Sequence, residues 1–133
     1  MKTYLGIDVG SISTDFVLIN DNKEILASLY IRTEGNPITA VKRGLKKVKE
    51  QISEDVEIWG VGTTGSARYL AGVITGADLV KNEITAHAKA SSFLVPDVKT
   101  IIEIGGQDSK IIILEDGVAI DFGMNAICLS SNS

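Results

Sequence analysis

The 133-residue sequence predicts an α/β fold: a mixed sheet of five or more strands, with an antiparallel meander and flanking helices. Three observations predict it. The first 32 residues hold three runs rich in Ile, Val, Leu and aromatic residues, separated by short turns. An apolar stripe at helical spacing follows, then a fourth hydrophobic run, so a helix crosses between two strands of the same direction. From residue 99 onward, a strand, a glycine turn and a return strand repeat the opening pattern.

The opening run, Tyr4 to Val9, rises as a strand, and Phe16 to Ile19 returns as one. Between them, Asp8-Val9-Gly10-Ser11-Ile12-Ser13-Thr14 combines an acid, a glycine and hydroxyls. Gly10 allows a tight turn whose N–H groups approach a ligand closely. Successive N–H groups in such a turn form an anion-binding concavity, to which Ser11, Ser13 and Thr14 add donors. Asp8, at the end of a buried strand, is a hard oxygen ligand suited to Mg²⁺ or to a water that Mg²⁺ holds. A hairpin whose Asp and Ser only satisfy turn backbone is the plainer reading of the same residues.

Asn20-Asp21-Asn22-Lys23 is turn chemistry, and Glu24 to Arg32 is a third strand. Asn36 then caps a helix that has Pro37 at its first position. Ile38, Val41, Leu45, Val48 and Ile52 form its apolar stripe, and the lysines and Arg43 around them read as a solvated face. Val56 to Gly62 is the fourth strand, parallel to the first. Thr63 to Arg68 follows at its carboxyl end, where open α/β sheets bind ligands. Those hydroxyls can cap the next short helix, and Arg68 is either a surface arginine beside that cap or a partner for an anion. Ala77 to Val80 is short and extended, and Asn82 to Ala90 is a small-residue helix. On it Glu83 and His87 share a face, which reads as a surface hydrogen-bonding pair rather than a metal site.

Lys99 to Ile104 is a strand, Gly105-Gly106-Gln107-Asp108-Ser109 turns, and Lys110 to Leu114 returns. Asp116-Gly117 is a hairpin signal before a last strand, Val118 to Phe122. Two glycine turns of this kind can hold a polyphosphate from both sides, which favours phosphate binding over the plain hairpin. Residues 124–133 carry no periodicity and read as a tail.

The totals exclude several classes. The length suits one domain, and a net charge of −4 with no long basic run argues against nucleic acid as partner. No apolar stretch reaches membrane-span length, and the start is too short in apolar residues for a signal peptide; a cytoplasmic protein is the expectation. Cys128 stands alone, so no internal disulfide framework exists.

These motifs carry a family resemblance. Leu5 to Ile19 resembles the first phosphate motif of the superfamily of acetate kinase, sugar kinases, heat-shock chaperones and actin. Three strings narrow it: Gly62-Thr63-Thr64-Gly65-Ser66, Ala77 to Ala88, and Ile102 to Lys110. They resemble the activator ATPases of 2-hydroxyacyl-CoA dehydratases and benzoyl-CoA reductases, the BadF/BadG/BcrA/BcrD group. The resemblance covers nearly the whole chain.

It implies a ribonuclease H-like, actin-like ATPase subdomain over residues 1–123, with 124–133 leading to an absent second subdomain. It also implies a homodimer at full length that binds ATP or ADP with Mg²⁺. A [4Fe–4S] cluster at the dimer interface would send a low-potential electron to a CoA-ester dehydratase or reductase as ATP is hydrolysed. By position, Asp8, Gly10, Ser11, Ser13 and Thr14 would form the first phosphate loop, and Gly105, Gly106, Gln107 and Asp108 the second. Asp8 would hold magnesium and act catalytically with Gln107 and Asp108, and Cys128 would be a cluster thiolate. Asp15 stands where the family usually has Lys, which weakens charge neutralisation beside the phosphates. The 133 residues alone are expected to have little ATPase activity and no stable cluster. Two other readings remain: a small-molecule kinase of the same fold with Asp108 as base, and a non-catalytic actin-like module.

Overall fold

Strand β1 (Lys2–Val9) alternates strictly, with Thr3, Leu5, Ile7 and Val9 inward. The computed structural model describes residues 1–105 and 108–126, apart from the side chains of Asn125 and Ala126. Strand β2 (Ser13–Asn20) buries Thr14, Phe16 and Leu18, and β3 (Ile25–Arg32) buries Ala27 and Ile31. The three form the expected antiparallel meander, with Ile7 opposite Phe16 and Phe16 opposite Leu29.

Helix α1 (Pro37–Gln51) starts at Asn36, whose Oδ1 accepts the Thr39 N–H at 3.1 Å. Its buried positions are Ala40, Val41, Gly44 and Val48, while Ile38 is 41% exposed. The predicted stripe is thus rotated toward the small residues. The reason is Phe16, whose ring occupies the space a side chain at position 44 would need: a Cβ there would lie 2.0 Å from Cε1. Large apolar residues at the stripe's edge stay half-exposed so that helix and sheet can approach over glycine.

Strand β4 (Glu57–Thr64) returns parallel to β1, as the helical crossover requires. Helix α2 (Arg68–Thr75) stops at Gly76 in the left-handed region, and β5 (Leu79–Val80) adds beside β4. The sheet order is β3-β2-β1-β4-β5. Ala40, Val41 and Val48 of α1 and Ala71 of α2 join the inward residues of β1 to β3 in one core.

The chain divides into two compact units, Met1–Lys81 and Asn82–Ser133. In the second, α3 (Glu83–Leu94) is followed by β6 (Thr100–Ile104), β7 (Asp108–Glu115) and β8 (Val118–Ala126). These strands form a separate three-stranded antiparallel sheet, so the strand–turn–strand echo starts a new sheet rather than extending the first. Ala88, Ile112 and Leu114 are its buried core. Asp116 and Gly117 both take positive φ, 51° and 79°, the primed hairpin turn that Asp-Gly favours. Strand β8 runs on to Ala126, past the predicted end at Phe122, because β7 begins at Asp108 and supplies backbone partners that far. Backbone pairing needs no side-chain periodicity, so the sequence pattern could not mark that end.

Candidate functional site

Alternation along β1 and β2 decides which groups of the first turn reach the open face of the sheet. The turn is closed by the Gly10 N–H, which donates to the Ser13 carbonyl at 2.9 Å. Asp8 stands directly opposite Asp15 on β2 and opposite Thr64 on β4, so the three side chains lie side by side on one face. That face is opposite the buried Ile7, Val9, Phe16 and Thr63.

Thr14, expected among the phosphate-directed hydroxyls, points the other way. Its Oγ1 is buried 2.9 Å from that of Thr33, and the Thr33 hydroxyl donates to the Gly10 carbonyl at 2.8 Å. With the Thr33 proton directed at Gly10, Thr14 is the donor of the pair, and its hydroxyl wires the turn to the end of β3. Ser11 is exposed on the turn, and Ser13 Oγ reaches Asp15 Oδ2 at 3.4 Å.

The residues that shape the rest of the site come from the end of β4. Gly65 adopts φ 96°, and a Cβ there would lie 2.4 Å from the Val9 carbonyl and 2.6 Å from Asp8 Oδ1. Only glycine allows this backbone against the acid. The Ala67 N–H donates to the Val9 carbonyl at 3.0 Å, and Ser66 Oγ lies 3.4 Å from the same atom. Beside Asp8, Thr64 Oγ1 is buried without a hydrogen-bond partner. A buried unpaired hydroxyl is uncommon in a folded protein, and a bound ion or ligand is one of its ordinary explanations. An acid, an orphaned hydroxyl and a glycine-only backbone form a set that fits a hydrated Mg²⁺.

In sequence, Thr63 and Thr64 share one expected role, capping. The structure separates them: Thr63 Oγ1 turns inward and donates to the Arg68 carbonyl at 2.8 Å, while Thr64 faces the site. Strand alternation carried through residue 64 is the signal that separates the two. The expected side-chain cap is not formed, because the N-cap position falls on Ala67. Arg68 donates to the Gly65 carbonyl at 3.1 Å and stacks on Tyr69, so it braces this bend as a local arginine.

Asp15 adds a second acid to the face. Burial raises its carboxyl pKa above the usual value, and the Ser13 hydroxyl only partly offsets this. A raised pKa means that ionised Asp15 disfavours the folded state. The penalty is absent below the unfolded carboxylate pKa and complete once pH passes the folded one. Asp15→Asn removes this half-buried charge and is therefore expected to stabilise the metal-free chain at pH 7, by up to about 1 kcal/mol, the low end of the cost of burying a polar group. The gain should shrink toward pH 3; urea midpoints of both chains in chelator at the two pH values measure it.

In the second unit, Asp108 opens β7, and the Gly105 N–H donates to its carbonyl at 2.8 Å. A Cβ on Gly105 would lie 3.2 Å from Glu103 Oε1 and 3.6 Å from Asp108 Oδ1. Lys110, 4% exposed, places its Nζ 3.1 Å from Asp108 Oδ1, 3.2 Å from Glu103 Oε2 and 3.3 Å from Glu83 Oε2. Burial lowers the pKa of its ammonium, but the hydrogen bonds it donates to Asp108, Glu103 and Glu83 outweigh this and leave it above the ordinary lysine value. Glu83 thus serves Lys110, a partner that spacing along α3 does not reveal. Gly106, Gln107 and Cys128 lie outside the described residues.

A strand–turn–strand motif on the adjacent inner strands β1 and β2 of a β3-β2-β1-β4-β5 sheet is the architecture of the actin-like, ribonuclease H-like ATPase class. Two distant solved structures share this fold: an Aquifex aeolicus Ppx/GppA phosphatase (TM-score 0.65, 16% identity) and a Streptomyces griseus ROK-family glucokinase (TM-score 0.66, 14% identity). Within that class, the chain belongs to the BadF/BadG/BcrA/BcrD ATPase family, which its residues 5–133 match.

The activator of lactoyl-CoA dehydratase from Anaerotignum propionicum is 40% identical over 132 residues, covering 93% of this chain and 47% of the relative. The solved activator of 2-hydroxyisocaproyl-CoA dehydratase from Clostridium difficile, with bound ADPNP, superposes at TM-score 0.81 and 31% identity. It covers 93% of this chain and 46% of that one. Component A of (R)-2-hydroxyglutaryl-CoA dehydratase from Acidaminococcus fermentans gives TM-score 0.81 and 34% identity, over 94% and 48% of the two chains. The chain therefore spans about half the length of these relatives. Among the described residues, no helix is long and apolar enough to cross a membrane.

Proposed function

We propose that the chain is the first nucleotide-binding half of an activator ATPase for a CoA-ester dehydratase or reductase, and that it takes Mg-ATP. The observation that carries this reading is the unpartnered Thr64 hydroxyl beside Asp8, under a glycine-only bend. Asp8 and Thr64 would hold the hydrated magnesium, which neutralises phosphate charge when bound. Gly10 would allow the tight turn, and the backbone N–H groups of Ser11 and Ser13, with the two serine hydroxyls, would face the phosphates. In the second unit, Gly105, Gly106 and Gln107 would form the second phosphate turn. Asp108 would accept a proton from the attacking water, with Gln107 orienting that water. Family membership and the ADPNP-bound relative support the nucleotide.

At full length, we assign the protein to a homodimer that couples hydrolysis to low-potential electron transfer from a [4Fe–4S] cluster. Such a cluster takes about four thiolates. Cys128 is the only cysteine of this chain, so the remaining ligands would have to come from other polypeptide.

Calorimetric titration of the full-length protein with Mg-ADPNP tests the nucleotide reading. Binding is expected, and Asp8→Asn should weaken it by about tenfold or more, the effect of losing one charge-assisted contact. Wild-type affinity in Asp8→Asn would overturn the assigned site, and no binding by the wild type would overturn the nucleotide reading. The electron paramagnetic resonance spectrum of the reduced, anaerobically purified protein tests the cluster separately: a signal is expected, and its absence after reconstitution removes the electron-transfer role.

A further inference from the structure

Lys110 is the most buried charged side chain among the described residues, and the nucleotide reading leaves it unused. Its ammonium has three N–H donors and three carboxylate acceptors, each from a different element: Asp108 on β7, Glu103 on β6 and Glu83 on α3. Glu103 is its direct cross-strand partner, and Asp108 lies two residues before it on the same face of β7. Three carboxylates converge on one cation, so the cluster holds together only through that cation.

We propose that Lys110 is a positioning residue for Asp108, an inference that rests on the assignment of Asp108 as the acid beside the attacking water. A carboxylate has about four acceptor sites, so a single bond from Lys110 Nζ to Oδ1 orients the group and leaves most of its capacity for a water. Glu103 and Glu83 fix the ammonium from the other two sides. They tie the orientation of Asp108 to β6 and to the first turn of α3. Without Lys110, Asp108 would face two other acids and rotate away from the position its chemistry needs.

The experiment uses the full-length protein and steady-state ATP hydrolysis, with folding checked by circular dichroism. Lys110→Met keeps the aliphatic stem and removes the charge. It is expected to lower kcat by about 10- to 100-fold, the scale of a misplaced catalytic group, with KM for ATP changed less than about threefold. The Lys110→Met/Asp108→Asn double variant should be no slower than Asp108→Asn alone, since both changes act on one group. A multiplicative loss in the double variant overturns the positioning role. A wild-type kcat in Asp108→Asn overturns instead the assignment of Asp108. Should Lys110→Met fail to fold, Lys110→Arg keeps the cation but places it on a longer planar fork. It is expected to lower kcat at unchanged KM, and a wild-type kcat in that variant overturns the proposal.

Discussion

Gly65→Ala is expected to destabilise the chain by on the order of 3 kcal/mol, and to disable the candidate site at the same time. Two effects add. At φ 96° an L side chain is strained, at roughly 1–3 kcal/mol. The new methyl would also lie 2.4 Å from the Val9 carbonyl, far inside contact distance. That carbonyl cannot retreat freely, because it accepts the Ala67 N–H and lies in a strand bonded on both sides. The remaining relief is outward movement of the bend, which draws it off Asp8 Oδ1. The urea midpoint should fall at unchanged m-value, and the full-length protein should lose Mg-ADPNP binding. A loss of stability below about 1 kcal/mol would show that the bend relaxes cheaply and that the glycine is incidental.

Gly44→Ala is the second large effect, and its sign is the informative part. On an exposed helix the change gains up to about 1 kcal/mol of propensity. Here the methyl would lie 2.0 and 2.1 Å from Cε1 and Cζ of Phe16, and Phe16 is fully buried in the core with Leu18 and Val41. The ring cannot flip clear, so α1 must lift from the sheet, and overpacking of this kind costs typically 1–3 kcal/mol. The net expectation is a loss of about 1–2 kcal/mol once propensity is subtracted. Phe16→Leu should convert Gly44→Ala from destabilising to nearly neutral, because the shorter side chain vacates the contested space. A Gly44→Ala chain more stable than the parent would refute the close approach of helix and strand.

Much of the architecture was legible in the residues. Alternating runs gave the β1 to β3 meander, Asn36-Pro37 gave the start of α1, and Asp116-Gly117 gave the last hairpin. Helical spacing gave α1 but placed Ile38 in its buried stripe, because periodicity cannot weigh Gly44 as a contact surface. The first turn was legible as a glycine–hydroxyl motif, yet Thr14 was grouped with Ser11 and Ser13. Its inward direction depends on register with Val9, which a list of polar residues does not contain.

Local sequence determined the elements, the first glycine turn and the family strings, since each depends on residues within a few positions of one another. Tertiary structure alone decided three matters. It brought Gly65 against Asp8, left the Thr64 hydroxyl without a partner, and gathered Glu83, Glu103 and Asp108 around Lys110. The first and the third join groups far apart along the chain, Gly65 with Asp8 and Glu83 with Lys110, and the second is a hydroxyl that strand alternation turns to the open face. Their placement is set by strand register and by which face of the sheet each residue takes, and those are properties of the folded backbone.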